Sequence, residues 1–136
     1  MTEKINNALI VFFEKLSSWE HDVVREKGMT LPQMHTLEIL GIHGQMRMKE
    51  LAESMGVTTG TLTVVVDRLE SKGLVKRMPH ETDRRSIVVS LEKGGKVLFA
   101  EHDRLHMKLT EELLSGCSKE DQEAFLRCLT LMSDKF

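Results

Sequence analysis

No apolar run in this sequence is long enough to span a membrane. The apolar stretch Ala8 to Phe13 is short, and acids Glu3 and Glu14 flank it. A basic leader with a small-residue cleavage site is also missing. The chain is therefore expected in the cytoplasm, without a membrane partner. Cysteine is scarce. Cys117 and Cys128 fit neither a metal-ligand nor a disulfide spacing, so they read as buried or half-buried thiols of a reducing compartment. Catalytic motifs are lacking too. There is no Ser-His-Asp arrangement, no phosphate loop and no paired-carboxylate motif, and no enzyme is expected. Nor is there a strong excess of one charge: 19 Lys and Arg stand against 21 Asp and Glu, a net −2. That balance excludes a general nucleic-acid coat. At 136 residues the chain has one domain's length.

The informative residues are concentrated between Met48 and Arg85. Lys49 to Met55 reads as a short helix, and Gly56 sits where a helix needs a left-handed stop. Val57 and Thr58 make a turn, with Thr58 placed to cap the next helix. That second helix runs from about Thr59 to Lys72, with Leu62, Val65, Val66 and Leu69 as its apolar stripe. Gly73 ends it. Leu74 to Pro79 and Ser86 to Leu91 are rich in Val, Ile and Leu and read as strands. His80 to Arg85 forms the charged tip between them. Two helices joined by a tight turn form a helix-turn-helix, whose second helix fits a DNA major groove. A hairpin with arginines at its tip forms a wing suited to phosphates or a narrow minor groove. A charged loop is ordinarily a solvated turn. The order helix, turn, helix, wing outweighs that blander reading. From Arg47 to Ile87 eight basic residues face six acids, while the remaining segments carry 11 basic and 15 acidic residues. A mildly basic middle in an acidic chain suits a protein that meets DNA on one face.

These residues resemble the MarR family of winged-helix regulators. The resemblance covers nearly the whole chain. It is carried by Leu51-Ala52, Gly56-Val57-Thr58, Asp67-Arg68-Leu69-Glu70, Lys72-Gly73-Leu74-Val75 and Asp83-Arg84-Arg85-Ser86. The family's wing signature, an Asp, any residue, then an Arg, falls on Asp83 and Arg85. Through Gln33-Met34-His35 and the later His102–His106 pair the chain resembles a zinc-responsive branch of the family. Through Met34-His35-Thr36 and Val57 to Thr63 it resembles, more closely across the DNA-reading helix, the fatty-acid-synthesis repressor branch. The resemblance implies a homodimeric repressor on a near-palindromic double-stranded operator, responsive to a ligand. The implied fold is mainly α with a small antiparallel β-wing. One MarR-type domain would cover 1–136, with dimerisation helices at 1–29 and 95–136 and the DNA-binding lobe at 30–94.

The flanking sequence supports that plan. A long helix is predicted from Glu3 to Lys27, with Ile5, Leu9, Phe12, Phe13, Leu16, Trp19 and Val23 at helical spacing. Its aromatics suggest a dimer seam, although intrachain packing accounts for some of them. Thr30 caps a helix from Pro32 to Ile42, and Gln45 to Arg47 is read as a strand pairing with the wing. A helix from Gly95 to Ser115 carries Val97, Leu98, Leu105, Leu109, Leu113 and Leu114. Ser118 then opens the last helix in a capping box with Asp121.

On the second helix of the motif, Thr59, Gly60, Thr63, Val64 and Asp67 lie opposite the apolar stripe. Threonine exchanges hydrogen bonds with bases and packs its methyl on thymine. Many family members carry Arg where Val64 stands here, so the resemblance implies an A·T-leaning operator and more reliance on the wing. Thr58, Arg68, Lys49 and Lys76 are phosphate candidates. Arg85 is assigned to the minor groove, with Asp83 orienting its guanidinium, and Arg84 to phosphate.

Two occupants compete for the expected effector site. Met34, Leu37 and Trp19 suit an acyl or other apolar small molecule. His35, His102 and His106 suit zinc, with Glu20, His21 or Asp22 as a fourth ligand. His102 and His106 are one turn apart, so their rings share a helix face. Such a pair is more often a solvated face than a ligand set. No cofactor is required by the sequence, and zinc is the candidate. A metal-responsive regulator and a winged-helix module that binds only protein are the alternatives. The family's peroxide sensors place a reactive cysteine near the N-terminus, which this chain lacks.

Overall fold

The computed structural model describes residues 1–136. Met1–Phe99 and Ala100–Phe136 form two compact units. In chain order the elements are α1 (Thr2–Glu26), α2 (Leu31–His43), β1 (Met46–Arg47), α3 (Met48–Met55), α4 (Thr59–Ser71), β2 (Val75–Pro79), β3 (Ile87–Leu91), α5 (Lys93–Leu114) and α6 (Lys119–Ser133). The boundary between the units falls inside α5. The predicted elements are all present, with ends shifted by a residue or two, and the fold is mainly α with a small antiparallel sheet.

Local chemistry sets the starts and stops. Thr30 caps α2 in a full capping box: its hydroxyl accepts from Gln33 N, and the Gln33 side chain accepts from Thr30 N. Gly56 takes the left-handed conformation at φ 67°, which closes α3 and frees the chain to turn. Thr58 caps α4 by accepting from Thr61 N at 3.1 Å. Ser118 accepts from Asp121 N, but the return bond differs from a capping box. The Ser118 hydroxyl donates to the Asp121 carboxylate at 2.7 Å, so that carboxylate serves the hydroxyl and not the backbone.

The core of the first unit sits under the helix-turn-helix. Met34, Leu37, Leu51, Leu62, Val66, Leu69 and Val89 are completely enclosed. Helix α2 is buried on more than one side, with Gln33, Met34, Thr36, Leu37, Ile39 and Leu40 all inside. The Thr36 hydroxyl, cut off from water, donates to the Pro32 carbonyl at 2.7 Å. The sheet order is β1-β3-β2, all antiparallel. β3 is central, pairing Val89 with Met46 on one side and with Arg77 on the other. This register ties the wing to the residue that precedes α3. No helix is long and apolar enough to cross a membrane.

In the second unit, α6 returns beside the end of α5. Gln122 Nε2 donates to the carbonyls of Leu114 and Cys117, closing the turn between them. Phe125, Leu126, Leu129, Leu131 and Met132 of α6 remain exposed. Cys117 and Cys128, expected to be buried or half-buried, are exposed too, because they lie in the turn before α6 and on its uncovered surface.

Candidate nucleic-acid interface

A cleft of about 490 Å³ opens between the start of α4 and the wing. Arg47, Met48 and Lys49 form one wall, Thr59 and Thr63 another, and Arg77, Arg85, Ser86 and Ile87 the third. Four cations and no acid line it. The structure thus brings together Thr59, Thr63, Lys49 and Arg85 of the predicted set. It adds Arg47 and Arg77, which the sequence alone did not single out. Thr63 donates its hydroxyl to the Thr59 carbonyl at 2.8 Å, which leaves that oxygen able to accept. Gly60 has open space around it; an added Cβ would meet only the Thr58 hydroxyl, at 3.9 Å. Val64 is 53% exposed, a large apolar side chain on the solvent side of α4. Arg68 and Arg84 are also exposed. Thr58 fills its predicted capping role, which occupies the hydroxyl that is also a phosphate candidate. Its hydroxyl is committed to the cap, accepting from Thr61 N and donating to Thr61 Oγ1 at 3.0 Å.

The wing tip is built by side chains. Asp83 does not orient the Arg85 guanidinium, as expected from the sequence. Its carboxylate instead accepts from the Arg85 backbone N–H at 3.1 Å and from the Ser86 hydroxyl at 3.0 Å. Those two bonds, the first above all, hold its carboxyl below the usual range. The reason is local: a short acid two residues upstream reaches a backbone N–H before it reaches a long side chain. The Arg85 guanidinium is left free to point outward. His80 completes the tip. Its Nδ1 accepts from the N–H groups of Thr82 and Asp83 at 3.3 and 3.2 Å. The proton of the neutral ring therefore sits on Nε2. Arg47 Nη2 lies 3.3 Å from that Nε2.

Arg77 locks the wing to α4. Its guanidinium pairs with the carboxylates of Asp67 and Glu70, and its backbone N–H donates to Glu70 at 2.8 Å. The bond to Asp67 chiefly, and then that to Glu70, holds the guanidinium still more firmly protonated.

The predicted effector residues divide. Met34 and Leu37 have no exposed surface at all and belong to the core. They line none of the clefts described for this unit. Alternating burial along a helix enclosed on several sides does not mark a ligand face. Trp19 is half-buried on α1. His35 is exposed and shares a cleft of about 410 Å³ with Glu20, Glu38, Leu31, Pro32, Met55 and Val57. In the second unit His102 is fully buried, and its ring meets that of His106 edge-on at 4.7 Å. The two Nε2 atoms are 3.1 Å apart.

Comparison with known proteins agrees with this architecture. The MarR family model matches residues 29–87. The HTH-type transcriptional regulator YfiV of Bacillus subtilis is 39% identical over 108 residues, covering 77% of this chain and 66% of that protein. The HTH-type transcriptional repressor MdtR of the same organism is 34% identical, covering 71% and 63%. The matches thus span just under two thirds of these relatives' own length. Among solved structures, Streptococcus pneumoniae FabT in complex with DNA superposes with a TM-score of 0.88 at 27% identity, covering 98% of this chain and 96% of that one. A capped helix-turn-helix, a three-stranded wing and these likenesses together place the chain in the MarR family of winged-helix transcriptional regulators.

Proposed function

We propose that this protein is a ligand-responsive transcriptional repressor that acts in the cytoplasm, as a homodimer, on a near-palindromic DNA operator. The cation-lined cleft between α4 and the wing carries the proposal. It offers phosphate partners on both sides of a helix start whose exposed side chains are small enough to approach base edges. The FabT structure at 27% identity, which contains DNA, supports the same use of the fold. Homodimerisation is supported by the apolar surface each unit leaves uncovered. On α1, Ile5, Ile10, Val11 and Phe13 are about half exposed or more (49–69%). On α6, Leu126 and Leu131 are 65% and 66% exposed. A second copy would cover such surface.

Selection from random duplex DNA tests the central reading. Enrichment of an inverted repeat, with affinity falling steeply in salt, is the expected result. No enrichment and no salt-dependent affinity would move the chain to the class of winged-helix modules that bind only protein. Light scattering that gives a monomer at micromolar concentration, with operator binding intact, would overturn the homodimer.

Zinc is the effector that the histidines favour. Two nitrogens bound to one tetrahedral zinc, at about 2.0–2.1 Å each, lie about 3.3 Å apart. His102 and His106 already hold their Nε2 atoms at 3.1 Å. Bound there, the ion would draw both rings into one fixed orientation. An acyl carboxylate is disfavoured at the His35 cleft, because Glu20 and Glu38 line it and would repel the head group. Calorimetry should show zinc binding in the wild-type protein and its loss in a His102→Ala, His106→Ala double variant. Equal zinc uptake by the two proteins would remove the metal from the proposal.

A further inference from the structure

Asp67 is an unexpected residue on a surface suited to phosphates. It lies on the exposed face of α4, one turn beyond Val64 and two beyond Gly60, with its side chain 54% exposed. Glu70, one turn further on, is 41% exposed. Two carboxylates at the flank of a DNA-reading helix repel the backbone they approach. Arg77 meets both. Its guanidinium comes from β2, pairs with Asp67, and reaches Glu70 Oε1 at 3.4 Å. Its backbone N–H separately anchors Glu70 at 2.8 Å. The same arginine lines the cation-rich cleft, so it resembles a phosphate ligand by position. Its Nη2 is nevertheless turned to the two acids.

We propose that Arg77 is a positioning residue for DNA recognition: it neutralises the acids of α4 and pins the wing to that helix, and does not itself bind phosphate. With Arg77 the three groups carry a net charge of −1; without it they carry −2. Arginine suits the task because it stays charged and the two hydrogens of its Nη2 can serve two carboxylates at once. The Glu70 bond to the strand backbone needs no arginine side chain. It persists when that side chain is replaced, which keeps β2 in place.

This inference rests on the DNA-binding reading above, and wild-type binding to the selected operator is its control. If the wild-type protein selects no DNA, that reading fails and this one falls with it. Given wild-type binding, Arg77→Met should weaken operator affinity roughly tenfold. The triple variant Arg77→Met, Asp67→Asn, Glu70→Gln should return to within about threefold of wild type, with an unchanged salt slope. A direct phosphate contact predicts otherwise: the triple variant stays as weak as Arg77→Met, and its slope falls by about 0.9. That result would overturn the proposal, as would wild-type affinity in Arg77→Met. Thermal melts check folding. Should Arg77→Met not fold, the triple variant, which has no unpaired charge, decides by the same two readings.

Discussion

Adjacent glycines at the start of α5 should respond to alanine with opposite signs. A Cβ at Gly94 would meet the flexible end of Leu74 at 3.3 Å and the Gly73 carbonyl at 3.6 Å. These are tight but workable distances. A Cβ at Gly95 would overlap the Leu74 carbonyl oxygen, while also lying 3.1 Å from that carbonyl's carbon and 3.2 Å from Leu91. The oxygen belongs to backbone and is already engaged, accepting from Glu92 N at 2.9 Å. It has no rotamer to give. Gly95→Ala must therefore lift α5 from β2 or break the Glu92 bond. Overpacking of this kind costs about 1–3 kcal/mol or more, and a lost backbone bond about 1 kcal/mol. Helix propensity returns at most about 1 kcal/mol. A net loss of about 2–3 kcal/mol is expected for Gly95→Ala. For Gly94→Ala the expectation is neutral to about 1 kcal/mol more stable, because the same propensity gain meets little resistance. Urea unfolding of both variants beside the wild type measures the difference. Equal stabilities for the two variants would refute the reasoning, since it rests on a contact that only one of them makes.

Three further outcomes concern the interface. Arg85→Ala should cost about 1–3 kcal/mol in operator binding, while Arg84→Ala should weaken all sequences alike and lower the salt slope by about 0.9, both read by titration across salt concentrations. Val64→Arg should shift selected half-sites toward guanine, and an unchanged consensus would mean that α4 enters the groove in another orientation. The Asp83 carboxyl is lowered by its Arg85 and Ser86 bonds. Its contribution to wing-tip order is thus complete above the ordinary carboxylate range, near about pH 4, and is lost as pH falls through the lowered value. Amide exchange at Arg85 should show protection constant from neutral pH to about pH 5 and released in stronger acid; release already at about pH 6 would contradict the assignment.

Much of this architecture is legible in the sequence because its signals are local. Thr30, Gly56 and Thr58 each fix a helix end through their own neighbours, and Leu62, Val66 and Leu69 declare the buried side of α4 by spacing alone. The capping-box glutamine, Gln33, is readable at the same range. The features that escape depend on elements meeting. Arg77 reaches Asp67 and Glu70 only once β2 lies along α4, and nothing in its sequence neighbourhood marks that. The burial of Met34 and Leu37 is of the same kind, since α2 is covered on several sides only once α1, α3, α4 and β3 pack on it. Asp83 fails for the opposite reason: a familiar pattern suggests a side-chain partner where the nearer backbone N–H wins.

The central place of β3 sets where this protein tolerates insertion. Val88 and Val89 are buried, one on each face, and paired on both edges, so one added residue there would exchange their faces and shift the pairing to β1 and β2 together. The tip from His80 to Ser86 is closed largely by its own bonds: His80 N to the Ser86 carbonyl, Ser86 N to the Asp83 carbonyl, and the side-chain contacts of His80 and Asp83. It is in effect a cassette on a fixed mount. Tips of other length and charge should be exchangeable between Pro79 and Ile87 without re-registering the sheet, so DNA preference at the wing can be redesigned separately from preference at α4.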